Sequence, residues 1–222
     1  MSDNKTPLEA FFFRDFTKSF IPQILKEIYI DKVYHPFLIG KRDLTILDVG
    51  QNLGFTSYYF KDYGTVIGIE PSKAHREACE AMLKQNNITN VTVLPYALSN
   101  ENGKAKFYLN PVNNTTYSLN DAFSTMPNAG VEEVETITFD SLFEKLKLEK
   151  VDFVKLDTEG SEDLILASDG FAKVADKIKT MVIEYHSWSK SSQSNVEHCL
   201  QDLGFTTERL QNEAHLISAV RL

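Results

Sequence analysis

The stretch Ile46-Leu47-Asp48-Val49-Gly50-Gln51-Asn52-Leu53-Gly54-Phe55-Thr56-Ser57 decides how this chain folds. A short apolar run ends in a carboxylate, two glycines follow four residues apart, and residues able to start a helix come next. Continuous apolar runs of this length suit strands buried on both faces of a parallel sheet. Glycines at a strand end let the backbone turn sharply and approach a ligand. Beyond it, Val66-Ile67-Gly68-Ile69-Glu70 supplies a second apolar strand that also ends in a carboxylate, sixteen residues after Gly54. Together they read as a nucleoside-binding βαβ unit.

The turn discriminates between nucleosides. Dinucleotide folds place glycine at the first, third and sixth positions so that backbone can press on a pyrophosphate. Counted from Gly50, the third position is Asn52 and the sixth is Phe55, so a side chain obstructs that approach and NAD is disfavoured. Asp-x-Gly-x-x-x-Gly suits a ligand without phosphates, in which polar side chains face an amino-acid moiety. S-adenosylmethionine is such a ligand, with a ribose for Glu70 and a zwitterionic tail for the turn.

The chain has 222 residues, 42% hydrophobic and 24% charged, with a net charge of −8. That length suits one α/β domain. No Lys/Arg cluster stands out, so a nucleic-acid backbone is not an expected partner. Neither Cys79 nor Cys199 has metal-ligand spacing around it, and two isolated thiols fit a reducing compartment. The first residues lack a basic flank leading into an apolar core, and no uncharged apolar run reaches membrane-spanning length. These features set a cytoplasmic expectation.

Along the chain, residues 1–42 form an expected helical extension. In it Phe11, Phe12, Phe13, Phe16, Phe20, Ile21, Ile24, Leu25 and Ile28 recur at three- and four-residue intervals. Such a stripe reads as core packed on the sheet edge or over the cofactor mouth, with dimerisation through these helices the alternative. Residues 43–222 form the core of a single domain. Strands are expected at 45–49, 66–70, 91–96, 151–157, 180–186, 205–210 and 215–221, with two more at 104–109 and 131–138. Ser72 caps a helix reaching Asn86, and another helix covers 194–203. A polar insert over 110–130 has the length of a binding loop or of a disordered segment.

Several blocks then resemble one family in order. Leu47-Asp48-Val49-Gly50-Gln51-Asn52-Leu53-Gly54 with Ser57 is similar to the cofactor motif of FkbM-type methyltransferases, with Gln51 where a small residue is usual. Gly68-Ile69-Glu70-Pro71-Ser72 resembles the second motif, and Ala97-Leu98-Ser99 with Gly103 and Phe107 the third. Lys155-Leu156-Asp157-Thr158-Glu159-Gly160-Ser161-Glu162 resembles the family's Lys-Ile-Asp-Val-Glu-Gly-x-Glu block, and Glu184-Tyr185-His186 its Glu-x-His strand end. The resemblance covers about residues 44 to 188. It implies a Rossmann-like class I methyltransferase fold: seven strands, mostly parallel with one reversed, and helices on both faces. It also implies S-adenosylmethionine-dependent methyl transfer, commonly to a hydroxyl of a sugar or polyketide.

In open α/β sheets ligands sit beyond the carboxyl ends of the strands, and Asp48, Glu70, Asp157 and His186 each end an expected strand. Glu70 is expected to bind the ribose, Asn52 and Ser57 the methionine carboxylate, and Asp48 the ammonium. Gly50 and Gly54 shape the turn, with Pro71, Ala97, Leu98 and Asp157 completing the cofactor site. A hydroxyl acceptor needs a base or a metal. His186 is the preferred base, oriented by Glu184, with Asp157 beside them. Lys155, Glu159 and Tyr117 are candidate substrate contacts. In the metal alternative, which is not favoured, Asp157, Glu159, Glu184 and His186 hold a divalent cation. Rival readings are an N- or C-directed transferase and a non-catalytic cofactor-binding protein.

Overall fold

The computed structural model describes residues 21–112, 116–121, 124–126, 130–189, 191–210 and 213–221. Helix α1 (Ile21–Leu25) runs directly into a π-helical segment, Lys26–Asp31, and α2 (His35–Leu38) precedes the first strand. β1 (Leu44–Val49), α3 (Phe55–Phe60), β2 (Gly64–Ile69), α4 (Lys73–Gln85) and β3 (Val91–Leu94) form a parallel βαβαβ unit. β4 (Ala97–Leu98), β5 (Gly103–Leu109) and β6 (Gly130–Ile137) follow, then α5 (Phe139–Leu146) and β7 (Phe153–Leu156). The chain continues through α6 (Glu162–Leu166), α7 (Asp169–Ala172), β8 (Thr180–Glu184), α8 (Gln193–Asp202), β9 (Thr206–Leu210) and β10 (Glu213–Val220).

The main sheet has seven strands in the order β3-β2-β1-β7-β8-β10-β9. β10 is the reversed strand, antiparallel to both β8 and β9. Strand order reverses between β1 and β7, which makes their carboxyl ends the switch point where open α/β sheets hold ligands. Period-two alternation separates two cores. Leu47, Val49, Val154, Leu156, Met181 and Ile183 join one with α5 to α8. Ile46, Phe153 and Val182 join the other, which includes Ile21, Ile28, Val33, Tyr34 and Leu38. The N-terminal helices thus pack on a sheet face, around Phe153, whose ring meets Tyr34 and Phe60 edge-on at 6.4 and 5.4 Å. The aromatic positions from Phe11 to Phe20 lie outside the described residues.

Among the boundaries that differ from the sequence expectation, three have a clear local reason. β3 stops at Leu94 because Pro95 has no amide hydrogen for the ladder. The next residues, Ala97 and Leu98, cross to a second sheet of order β4-β6-β5, which also takes the two strands flanking the polar insert. β6 ends at Ile137, because Thr138 caps α5, a helix absent from the sequence reading; its hydroxyl accepts from the Ser141 amide at 3.4 Å. β8 ends at Glu184, so His186 stands just beyond a strand tip. Among the described residues no helix is long and apolar enough to cross a membrane.

Phe153 is 1% exposed and touches rings from α2 and α3. Phe153→Ala is expected to cost about 3–5 kcal/mol of unfolding free energy, the usual range for an aromatic cavity. Urea titration followed by far-UV circular dichroism reads this directly. A loss below about 1 kcal/mol would mean that the N-terminal helices do not pack as described.

Candidate active site

The turn after β1 is built by its backbone. Gly50 has φ +70°, and a Cβ there would lie 1.7 Å from the Asp157 carbonyl oxygen, so the tip of β7 presses directly on the turn. Gly54 has φ +87°, and a Cβ would meet Cys79 Sγ at 2.4 Å. Asn52 also takes a positive φ, 55°, which asparagine tolerates. Its amide donates to Glu70 Oε2 at 2.8 Å, while the Ser72 amide donates to Oε1 at 2.8 Å. Glu70 therefore fastens the turn to the start of α4; Oε1 also faces His75 Nδ1 at 3.4 Å, and Oε2 keeps a second lone pair.

Gly50, Asn52, Glu70, Pro71, Ala97 and Leu98 line one cleft, closed on its far side by Phe107, Tyr117 and His75. The His75 and Tyr117 rings stack at 4.9 Å with an interplanar angle of 13°. A carboxylate on one wall, a glycine turn and an apolar, aromatic slot suit a nucleoside that carries no phosphate. Tyr117, expected at the substrate, stands at this cofactor cleft.

Asp48 and Ser57 lie beneath the turn, both fully buried. Thr56 and Ser57 hydroxyls donate to Asp48 Oδ2 at 2.7 and 2.6 Å, and Gln51 Nε2 donates to Ser57 Oγ at 2.7 Å. Burial raises the Asp48 carboxyl above its ordinary value, with Lys155 and these hydroxyls acting against it. Gln51 turns inward over Gly68, where a Cβ would come within 2.2 Å of its amide. The glycine in β2 thus makes the room that the larger residue needs, and the turn itself is not narrowed.

Lys155 is the register partner of Asp48 in the β1–β7 ladder and is 5% exposed. Its ammonium donates to the Gly50 carbonyl at 2.8 Å and to Asp157 Oδ2 at 2.9 Å, and lies 3.9 Å from Asp48 Oδ1. Burial alone would lower its affinity for the proton, but Asp157 and Asp48 outweigh that and hold it above the ordinary lysine value. Asp157 is half-buried; desolvation would raise its carboxyl, yet Lys155 and His186 keep it below the usual range.

Beyond β7 and β8 lies an acidic pole. His186 Nδ1 is 3.1 Å from Glu162 Oε1, and its Nε2 faces Glu159 Oε2 at 3.3 Å, Asp157 Oδ1 at 3.8 Å and Glu184 Oε1 at 3.8 Å. Glu162, rather than Glu184, orients the imidazole. Fully buried at the start of α6, Glu162 also accepts from the Thr158 amide at 2.8 Å, the Thr158 hydroxyl at 3.0 Å and the Gly160 amide at 3.1 Å. It thereby holds the loop in which Glu159 and Gly160 take φ values of 54° and 100°. Burial pulls the His186 imidazolium down, but the Glu162 hydrogen bond and the charges of Asp157, Glu162 and Glu159 push its pKa up to about 10. Burial and Asp157 push Glu159 well above the carboxylate range and Glu184 up to about 8. In this arrangement His186 holds its proton more tightly than a free imidazole does.

A second cleft opens from this pole toward the N-terminal helices. Glu159, Glu184 and His186 lie at its floor, and Ile24, Ile28, Tyr34, Phe55 and Trp188 on its walls. Gly50, Asn52, Asp157 and Glu159 line both clefts. Glu162, His75 and Trp188 escaped the sequence reading as site residues. Glu162 closes the Asp-x-Glu-Gly-x-Glu block, and that spacing was its available signal; no local pattern marks the other two.

Two outcomes test this geometry. Glu70→Ala is expected to weaken S-adenosylhomocysteine binding about ten- to a hundredfold by calorimetry, from the loss of one or two charged hydrogen bonds. Unchanged affinity would place the ribose elsewhere. His186 and Glu184 both hold protons more tightly folded than unfolded, from ordinary values of 6.5 and 4.5. Their stabilisation is complete below those ordinary values and is lost as pH rises through about 8 and about 10. Scanning calorimetry of EDTA-treated protein should therefore show Tm falling between pH 6 and 10; a rising Tm would refute the assignment.

Comparison with known proteins agrees with the architecture. The model for the methyltransferase FkbM domain matches residues 48–207. No curated protein sequence matches the chain. A methyltransferase FkbM from Methylobacillus flagellatus KT superposes with a TM-score of 0.57 at 13% identity over 85% of this chain, which spans 46% of that protein's length. The magnesium protoporphyrin IX methyltransferase of Synechocystis PCC 6803, solved with bound SAM, gives 0.54 at 12% identity, covering 90% of this chain and 82% of that one. A methyltransferase from Geobacter sulfurreducens gives 0.53 at 14% identity, covering 100% and 91%. With its Rossmann-like sheet and a domain match spanning most of its length, the chain belongs to the FkbM methyltransferase family.

Proposed function

We propose that this protein transfers a methyl group from S-adenosylmethionine to a hydroxyl of a sugar, glycoconjugate or related small molecule. The observation that carries this reading is the shared wall of the two clefts. A nucleoside-shaped cleft and an acceptor-sized one meet at Gly50, Asn52, Asp157 and Glu159, beside the acidic pole. The cofactor, when bound, supplies an electrophilic methyl on a sulfonium, and displacement leaves S-adenosylhomocysteine.

The chain's own groups do the remaining work. Glu70 fixes the turn and offers lone pairs to ribose hydroxyls. Lys155 keeps the Gly50 carbonyl and Asp157 in place, so both clefts share one rigid edge. Such alignment of reactants can lower a barrier by several kcal/mol. A hydroxyl is a weak nucleophile at neutral pH, and Asp157, whose carboxyl is held below the usual range, is the group of the pole placed to accept its proton. Trp188 lies against His186, ring centroids 4.8 Å apart, and offers an aromatic face at the mouth of the acceptor cleft. Aromatic faces of this kind suit the apolar side of a sugar ring.

S-adenosylhomocysteine at a hundredfold excess over its Kd is expected to raise Tm by roughly 5–10 °C, and NAD to leave it unchanged. Mass spectrometry of products from a panel of sugars and hydroxylated small molecules should then find the methyl on oxygen. Methylation confined to nitrogen or carbon, or stabilisation by NAD alone, would overturn the reading.

A further inference from the structure

We infer that the pole formed by His186, Asp157, Glu159 and Glu184 is a binding site for a divalent cation of the Mn²⁺ class. The ligand atoms come from separate segments and converge on one point. Around His186 Nε2, carboxylate oxygens of Glu159, Asp157 and Glu184 lie at 3.3, 3.8 and 3.8 Å. Atoms bonded to a common cation at about 2.1 Å are about 3–4.2 Å from one another, and all three distances from Nε2 fall in that range.

Independent observations point inward at a ligand. The His186 side chain is 8% exposed and aims Nε2 into the cluster, and among the described residues that nitrogen makes no hydrogen bond. Asp157 Oδ1 and Glu159 Oε2 are buried and have no hydrogen-bond donor. Orphaned acceptors of this kind are costly unless a ligand satisfies them.

Glu162 plays the supporting part. Ligand atoms of Glu162, Asp157 and His186 lie within 4.8 Å of one another, but the Glu162 oxygens already accept from the amides of Thr158 and Gly160 and from the Ser189 hydroxyl at 3.2 Å, which assigns it to the outer shell. It accepts from His186 Nδ1, which fixes the imidazole and leaves Nε2 as the ligating atom. This is the carboxylate–histidine–metal arrangement in which the outer carboxylate sets the ring. The charge balance agrees. Asp157, Glu159 and Glu184 line one partly enclosed space with Lys155, whose ammonium pairs with Asp157 at 2.9 Å. A donor set of carboxylates with one imidazole suits Mn²⁺ or a similar ion better than Ca²⁺, which prefers oxygen alone.

The site sits on the floor of the acceptor cleft. An ion there would lower the pKa of a bound hydroxyl, supplying the activation that a metal-free base would otherwise provide. That role rests on the proposed acceptor chemistry; the binding of the ion does not.

The test needs neither cofactor nor acceptor. Mn²⁺ is titrated into the EDTA-treated full-length chain by calorimetry, and the bound ion is examined by electron spin echo spectroscopy. One Mn²⁺ per chain is expected, carrying the modulation of a single imidazole nitrogen. Glu159→Gln and His186→Gln should each weaken binding at least tenfold, and Glu162→Gln about ten- to a hundredfold. Absence of stoichiometric Mn²⁺, absence of the nitrogen signal in the native chain, or equal affinity in Glu159→Gln would overturn the assignment. S-adenosylhomocysteine binding measured on the same samples separates a failed cation site from a failed cofactor site.

Discussion

A buried ammonium holds this site together. Lys155 enters from β7 opposite Asp48 on β1, and its donors go to the Gly50 carbonyl and Asp157. Burying a lone charge is expensive, and the expense is offset only where good hydrogen bonds and counter-charges surround it. Here two strand tips supply both. The glycine turn that faces the cofactor cleft and the carboxylate that opens the acidic pole therefore move as one body. Glycine at position 50 is part of the same constraint, because the Asp157 carbonyl fills the space a side chain would take.

Two kinds of carboxylate surround that body. Glu162 and Glu70 both accept from backbone amides and fix loops in shape. Asp157 and Glu159 each keep a buried oxygen without a donor, and the φ of Glu159 lies in the left-handed region. Unsatisfied atoms and unusual backbone gather where a structure is arranged for a ligand rather than for its own stability. The loop from Asp157 to Glu162 carries both kinds within six residues, with the structural group supporting the exposed one.

Much of the fold was legible because its signals are local. Apolar runs closed by Asp48, Glu70 and Asp157 marked three strand tips, and Ser72 marked a helix start. The single reversed strand was implied by the family resemblance, and β10 is that strand. What escaped depends on distant contacts. The turn sequence could not show that Gln51 folds over Gly68, because the two meet only through β1–β2 pairing. Glu184 looked like the partner of His186 from its position two residues away, whereas the hydrogen bond comes from Glu162, across the sheet edge. The protonation of His186 likewise reflects charges gathered from three segments, which no spacing reveals.

Tyr117 and Ser118 are neighbours with different attachments. The ring of the first stacks on His75 beside the cofactor cleft, while the hydroxyl of the second donates to the Glu159 carbonyl. Asn120 reaches on to the Trp188 carbonyl at 3.1 Å. One short run thus straps both clefts, and unseating it at either end pulls on the other. A strap fastened to both walls ties the shape of one cleft to the shape of the other.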